Sequence, residues 1–163
     1  MLASGATALG KHNLLSALIA RRIAETLGNA LAYPPNPYAP AGDPIEKTGH
    51  MRFAGTISVS HETLAAAMDA EWRPKGGRVF FIPVYEEGED RMRAILTALD
   101  VPTNRTTPID DASEMMALGS DNRWVRPDQL ADDIAAVASA DLGNQFIDGK
   151  VEVAVRRIRE LVQ

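Results

Sequence analysis

The 163-residue sequence contains no cysteine. This absence excludes a disulfide scaffold, a thiolate zinc site, an iron–sulfur cluster and a cysteine nucleophile. Any metal ion would therefore have to be bound by histidine, aspartate or glutamate. The absence does not identify a compartment, because a chain without thiols suits oxidising and reducing surroundings equally.

Long apolar runs and an excess of basic charge are also missing. No apolar run reaches the roughly 18 residues that a membrane-spanning helix needs. The chain has 22 acidic and 17 basic side chains, a formal net charge of −5, whereas nucleic-acid-binding proteins gather lysine and arginine on one face. The sequence therefore predicts neither a membrane nor a nucleic-acid partner.

The N-terminus and the overall composition are those of an ordinary globular protein. The first seven residues are too few and too polar for a secretory signal peptide. We expect a cytoplasmic location, although a signal peptide that had already been removed would leave no trace. With 45% apolar and 24% charged residues, residues 1–163 are expected to form a single domain.

Apolar spacing predicts an alternation of helices and strands. Continuous apolar runs favour a layered α/β domain with a mostly parallel sheet, although three strands are few for the number of helices. The predicted helices lie at residues 13–27, 60–72, 86–99, 113–118, 128–137 and 140–161, the last interrupted or bent near Gly149. The predicted strands lie at residues 31–33, 56–59 and 78–84.

A proline-rich segment at residues 34–56 is predicted to be a loop. Loops of this length in compact domains are usually functional or disordered. His50 and Arg52 lie near its end between two glycines. They could form the polar wall of a pocket, or they could belong to a loop held by its own hydrogen bonds.

The general catalytic motifs are absent. There is no glycine-rich phosphate loop, nucleophile elbow, His-Glu-x-x-His helix or calcium loop. Acidic side chains at a helix start stabilise the helix dipole without any catalytic role, but one of them could accept a metal ion or a proton if it were buried near a histidine. The remaining candidates are His12, His50, His61, Asp110, Asp111 and Glu114.

Three stretches together resemble the creatininase family of metal-dependent amidohydrolases. Residues 49–59 (GHMRFAGTISV) are similar to a family segment with a His-Met pair before a Phe-Pro-Gly-Thr-Ile-Ser run, with Ala54 in place of the proline. Residues 5–13 (GATALGKHN) resemble the N-terminal metal motif. Residues 111–118 (DASEMMAL) resemble the family's Glu-Thr-Ser segment. Their order and spacing cover most of the chain.

The resemblance implies a fold, an assembly and a chemistry. The family has a three-layer α/β/α fold with a central, mostly parallel sheet, and it usually assembles as a hexamer. A two-metal centre, commonly of zinc or manganese, activates a water molecule that hydrolyses small cyclic amides. The chain is therefore expected to be a homo-oligomer that binds a small-molecule substrate.

The resemblance also assigns roles to individual residues. His12 falls on the position of the bridging aspartate and is expected to be a metal ligand. Asp111 falls on a carboxylate position and is expected to bind metal or to transfer a proton, and His50 with Arg52 would line the pocket. The other family ligands are absent, with Thr106 standing where a histidine is expected.

These gaps leave two explanations and two functions open. Either the protein has lost its metal centre, or active-site loop segments of a longer chain are missing from the sequence. The loss of a core strand favours missing segments. An intact mass near 17.6 kDa would contradict that explanation. The first hypothesis is a creatininase-like hydrolase of a small cyclic amide or related C–N bond. The alternative is a non-catalytic protein of that fold that serves in assembly or small-molecule binding.

Overall fold

The computed structural model describes residues 11–34, 61–119 and 123–163, and 72% of them are helical. The chain divides into a smaller compact unit, Asn36–Pro83, and a larger unit formed by Leu2–Pro35 and Val84–Gln163. In this described part no helix is long and apolar enough to cross a membrane. The α-helices are α1 (Lys11–Leu27), α2 (His61–Trp72), α3 (Tyr85–Ala98), α4 (Thr106–Ala117), α5 (Asp132–Ala135) and α6 (Ala140–Leu161).

The predicted three-layer α/β/α fold with a central parallel sheet is wrong, because the described ranges contain helices and no β-strand. Residues 31–33 and 78–84 have no regular secondary structure, and the third predicted strand, 56–59, lies outside the described residues. Leu31 and Tyr33 are 86% and 82% exposed. Aromatic and β-branched residues favour an extended backbone, but a strand also needs a neighbouring backbone to bond.

A buried carboxylate in the smaller unit binds the start of the segment at residues 78–84. Asp69 accepts hydrogen bonds from the Val79 backbone N–H at 2.8 Å and from Arg78 Nε at 3.2 Å. The Arg73 guanidinium also donates to this carboxylate. The hydrogen bond from Arg73, with that from Val79, lowers the pKa of Asp69 to about 2. The segment is therefore attached to α2 through Asp69.

The helix predictions are confirmed with altered boundaries. The first helix begins two residues earlier than predicted and is followed by Gly28 with φ +78°, a left-handed conformation that glycine tolerates. The helix predicted from Ser113 begins at Thr106. Residues 128–137 form only the four-residue α5 after a 3₁₀ turn, Pro127–Gln129. The last helix continues through Gly149 without interruption.

Helix α6 is the centre of the larger unit and packs against α1, α3 and α4. Its residues Ile147, Val151 and Val155 belong to an apolar cluster with α1 and the end of α4. Leu142 and Phe146, one turn apart, belong to a second cluster with α3 and α5. Each buried side chain of this size contributes about 1.5–3 kcal/mol, so both clusters depend on the position of α6.

The backbones of α4 and α6 approach most closely at Gly143. A Cβ atom at this position would lie 2.7 Å from the Glu114 backbone nitrogen and closer still to the Ser113 carbonyl. These are backbone atoms that cannot rotate away. Ser113 is fully buried, and its Oγ accepts a hydrogen bond from the Ser139 backbone N–H at 3.3 Å. The contact therefore requires a residue without a side chain.

Replacement of Gly143 by alanine is expected to destabilise the larger unit by about 3 kcal/mol, because α4 and α6 must separate to accept a methyl group. Urea unfolding followed by circular dichroism measures this loss. Gly149→Ala is the matched control in the same helix: its Cβ would lie 3.6 Å from the nearest atom, so it should raise stability by about 0.5–1 kcal/mol. Equal effects of the two substitutions would contradict the close contact.

Candidate functional site

Five charged side chains meet where α1, α4 and α6 pack together. Three carboxyl groups come from the middle of α4, one ammonium group from the first residue of α1 and one from the middle of α6. Two of the carboxyl residues, Asp110 and Glu114, are one helical turn apart and only 8% and 3% exposed. We call this group the lysine–carboxylate cluster: Lys11, Asp110, Asp111, Glu114 and Lys150.

The Lys150–Glu114 pair is the most deeply buried part of the cluster. Lys150 Nζ lies 2.6 Å from Glu114 Oε1, and the two side chains are 11% and 4% exposed. The aliphatic stem of Lys150 lies against Gly88 of α3. Burial lowers the pKa of Lys150, but the charge and hydrogen bond of Glu114 outweigh it, so the pKa is raised overall. Lys150 therefore remains an ammonium group.

The second ion pair joins α1 to α4 through Lys11 and Asp111. The Lys11 side chain is 13% exposed and that of Asp111 is 31% exposed. Burial lowers the pKa of Lys11, and the charges of Asp110 and Glu114 oppose this shift. Each of the two lysines thus pairs with a different carboxylate of α4.

Asp110 is the carboxyl group that neither lysine pairs with. Within the part of the chain that the structure describes, its Oδ1 is buried and has no hydrogen-bond partner. Burial, together with the neighbouring Glu114 charge, raises the pKa of Asp110 to about 7, while Lys150 and Lys11 oppose the rise. At neutral pH this carboxyl therefore holds a proton in a large fraction of molecules.

The structure places two of the four predicted site residues at this cluster. Asp111 is paired with Lys11. His12 follows Lys11 in α1, its ring is largely exposed, and partial burial and the Lys11 charge lower its pKa. The other two, His50 and Arg52, lie outside the described residues.

Sequence reasoning missed both lysines. The available signal was a charged residue on an apolar helix face, because Lys150 lies next to Val151 and three residues after Ile147, both of which are buried. A lysine at such a position either extends its ammonium group to solvent or pairs with a buried carboxylate. The partner, Glu114, is 36 residues away in the sequence, so local spacing does not identify it.

The cluster does not fit the two-metal centre that the family resemblance implies. A metal ligand needs a deprotonated donor with a lone pair that faces the ion. Asp111 and Glu114 instead direct oxygens to ammonium groups, burial raises the pKa of Asp110 to about 7, and His12 adjoins a lysine. No group of three histidine, aspartate or glutamate side chains placed to hold a metal ion occurs among residues 11–34, 61–119 and 123–163.

Among the described residues, open grooves lie along α6 that the cluster does not line. One, of about 580 Å³, is lined by residues that include Val151, Val155 and Arg159. Another, of about 510 Å³, lies between α3 and α6 beside Met92 and Phe146. Both are lined by apolar and charged side chains.

Comparison of the chain with protein-family models, with curated proteins and with solved structures finds no match. The resemblance to creatininases therefore stays a prediction.

The raised pKa of Asp110 predicts that stability falls as pH rises. The folded protein binds a proton up to about pH 7, whereas the unfolded chain loses it near pH 3.9. The free energy of unfolding should therefore decrease by about 2–3 kcal/mol between pH 5 and pH 8 because of this group alone. Urea unfolding at several pH values measures the decrease.

Asp110→Asn isolates this contribution, because asparagine keeps the shape of the side chain and cannot ionise. The variant should lack the decrease and should be more stable than the wild type at pH 8. Parallel pH profiles for the wild type and the variant would show that Asp110 ionises normally in the folded protein.

Proposed function

We propose that this chain is a non-catalytic protein that serves in assembly. This is one of the roles in the second hypothesis from its sequence, without the α/β/α fold that the hypothesis included. The observation that carries the proposal is the pairing of two carboxylates of α4 with lysines, Asp111 with Lys11 and Glu114 with Lys150. A carboxylate held in this way contributes to stability and is not available to a metal ion or a substrate.

The energetics of the buried pair support a structural role. A buried charge that loses its partner costs about 3–5 kcal/mol, so release of Glu114 from Lys150 would disrupt the contact between α4 and α6. Catalysis by a metal-activated water requires an open coordination position and donors free to hold the ion. The paired lysines and carboxylates of the cluster therefore favour a structural role over metal-dependent catalysis.

A metal-dependent hydrolase of a small cyclic amide is the second candidate, and Asp110 favours it. A buried carboxyl group that exchanges its proton near neutral pH is the kind of group that acid–base catalysis uses. In this candidate His12 and Asp111 would bind zinc or manganese, and His50 with Arg52 would line the pocket. The hydrolase requires Lys11 to release Asp111, whereas the non-catalytic proposal leaves this ion pair intact.

A cytoplasmic location also remains a proposal.

Assembly needs a surface, and α2 of the smaller unit offers one. Leu64, Met68 and Trp72 follow each other at single-turn spacing and are 53%, 43% and 51% exposed. The Trp72 ring is held by the Lys75 ammonium group, 5.4 Å from its centroid, and by the backbone of Gly77. Contiguous exposed apolar side chains mark association surfaces.

The occupant we propose for this surface is a second copy of the chain. Leu64 and Trp72 lie equally far along the sequence from Met68. In an antiparallel pair of α2 helices, Met68 would therefore meet Met68, and each Leu64 would meet a Trp72 of the other copy. A surface that is complementary to itself in this way gives a closed two-fold dimer.

The non-catalytic proposal predicts that the wild-type protein takes up no stoichiometric zinc or manganese and hydrolyses no small lactam. Metal analysis after dialysis, with an amide-hydrolysis assay in the presence of each ion, measures both. His12→Ala should change neither result. Bound metal together with turnover that His12→Ala abolishes would instead establish the hydrolase.

The assembly proposal predicts that Met68→Glu converts a dimer or larger oligomer into a monomer, because the two-fold contact would bring two carboxylates together. Size-exclusion chromatography with light scattering measures the mass. Ala66→Glu adds the same charge to an exposed position on the opposite side of α2 and should leave the oligomer intact. A wild-type monomer at all concentrations, or no effect of Met68→Glu, would contradict the proposed surface.

A further inference from the structure

The lysine–carboxylate cluster is built around positive charge. Three carboxyl groups, Asp110, Asp111 and Glu114, lie within five consecutive residues of α4, and two of these residues are more than nine-tenths buried. Buried carboxylates are stable only with a cation, a hydrogen-bond donor or a proton beside them. The cluster therefore needs cations within the packed interior of the larger unit.

The two cations reach the cluster from different helices. Lys150 extends from α6 to Glu114, and Lys11 extends from the start of α1 to Asp111. The buried Oδ1 of Asp110 has no hydrogen-bond partner in the described part of the chain. When Asp110 is ionised, its charge is therefore opposed by no direct ion pair with either lysine.

From this arrangement we infer that Lys11 and Lys150 serve as tethered cations, in the place that a divalent metal ion would otherwise take among the α4 carboxylates. The inference rests on the proposed non-catalytic function and extends it by saying what occupies the site. An ammonium group satisfies a carboxylate as a metal ion does, but it has no open coordination position for water.

The positions of the two ammonium groups agree with this inference. Lys150 Nζ lies 2.6 Å from Glu114 Oε1, and the Lys11 ammonium group is paired with Asp111. A divalent ion among these carboxylates would be repelled by both ammonium groups, and only removal of the lysines would relieve this repulsion.

The test replaces both lysines by methionine, which keeps an unbranched stem and removes the charge. Lys11→Met/Lys150→Met should be less stable than the wild type in a metal chelator, and Mn²⁺ or Zn²⁺ should stabilise it. With the ion at about 100 times its Kd, the thermal midpoint should rise by about 5–10 °C. The wild-type midpoint should not change with either ion.

Two further variants show whether the response belongs to the cluster. Adding Asp110→Asn to the double variant removes the unpartnered carboxyl group and should abolish most of the metal response. Lys75→Met removes an exposed ammonium group of the smaller unit, where Lys75 pairs with Glu71 at 3.4 Å, and should create no metal response.

The possible outcomes separate this inference from the proposed function. If the double variant does not fold in chelator, folding on addition of Mn²⁺, followed by circular dichroism, would support the inference. A double variant that neither folds nor gains stability with either ion would overturn it while leaving the non-catalytic proposal intact. Stoichiometric metal uptake by the wild type would also overturn it, and turnover in addition would overturn the proposed function.

Discussion

The close approach of α4 and α6 at Gly143 is the contact on which the larger unit depends. It places Ser113 and Glu114 directly against the α6 backbone and so sets how the two helices align. Lys150, seven residues or about two turns beyond Gly143, then comes within 2.6 Å of Glu114. The same alignment directs Phe146 and Ile147 into the two apolar clusters. Core packing and charge pairing therefore share one geometric cause.

The charge balance of the cluster follows from its burial. Two ammonium groups cannot neutralise three ionised carboxylates, and Glu89 of α3 adds a further negative influence on Asp110. Burial first, and then the neighbouring Glu114 charge, raise the pKa of Asp110 to about 7. Retention of a proton on Asp110 reduces the excess of negative charge. The two ion pairs join α4 to its neighbours, through Lys11 of α1 and Lys150 of α6.

Local pattern predicted the helices well and the strands poorly, for identifiable reasons. The apolar period of α1 and α6 reflects burial of one helix face, and that period is visible in any window of the sequence. The helix predicted from Ser113 begins at Thr106 instead, with Pro108 in its first turn, where proline is tolerated. Residues 78–84 have strand-like composition, but Asp69 binds the Val79 N–H, and no local pattern reveals that contact.

By itself the sequence determined the apolar helix faces, the glycine that follows α1 and the exclusion of thiolate chemistry, because each depends on composition or on neighbours within a few residues. Family resemblance directed attention to His12 and Asp111. Only the tertiary structure decided that Lys11 forms an ion pair with Asp111, 100 residues away in the sequence, and that Lys150 forms one with Glu114. The physical reason is that a buried charge selects its partner by proximity in three dimensions, which helix packing alone establishes.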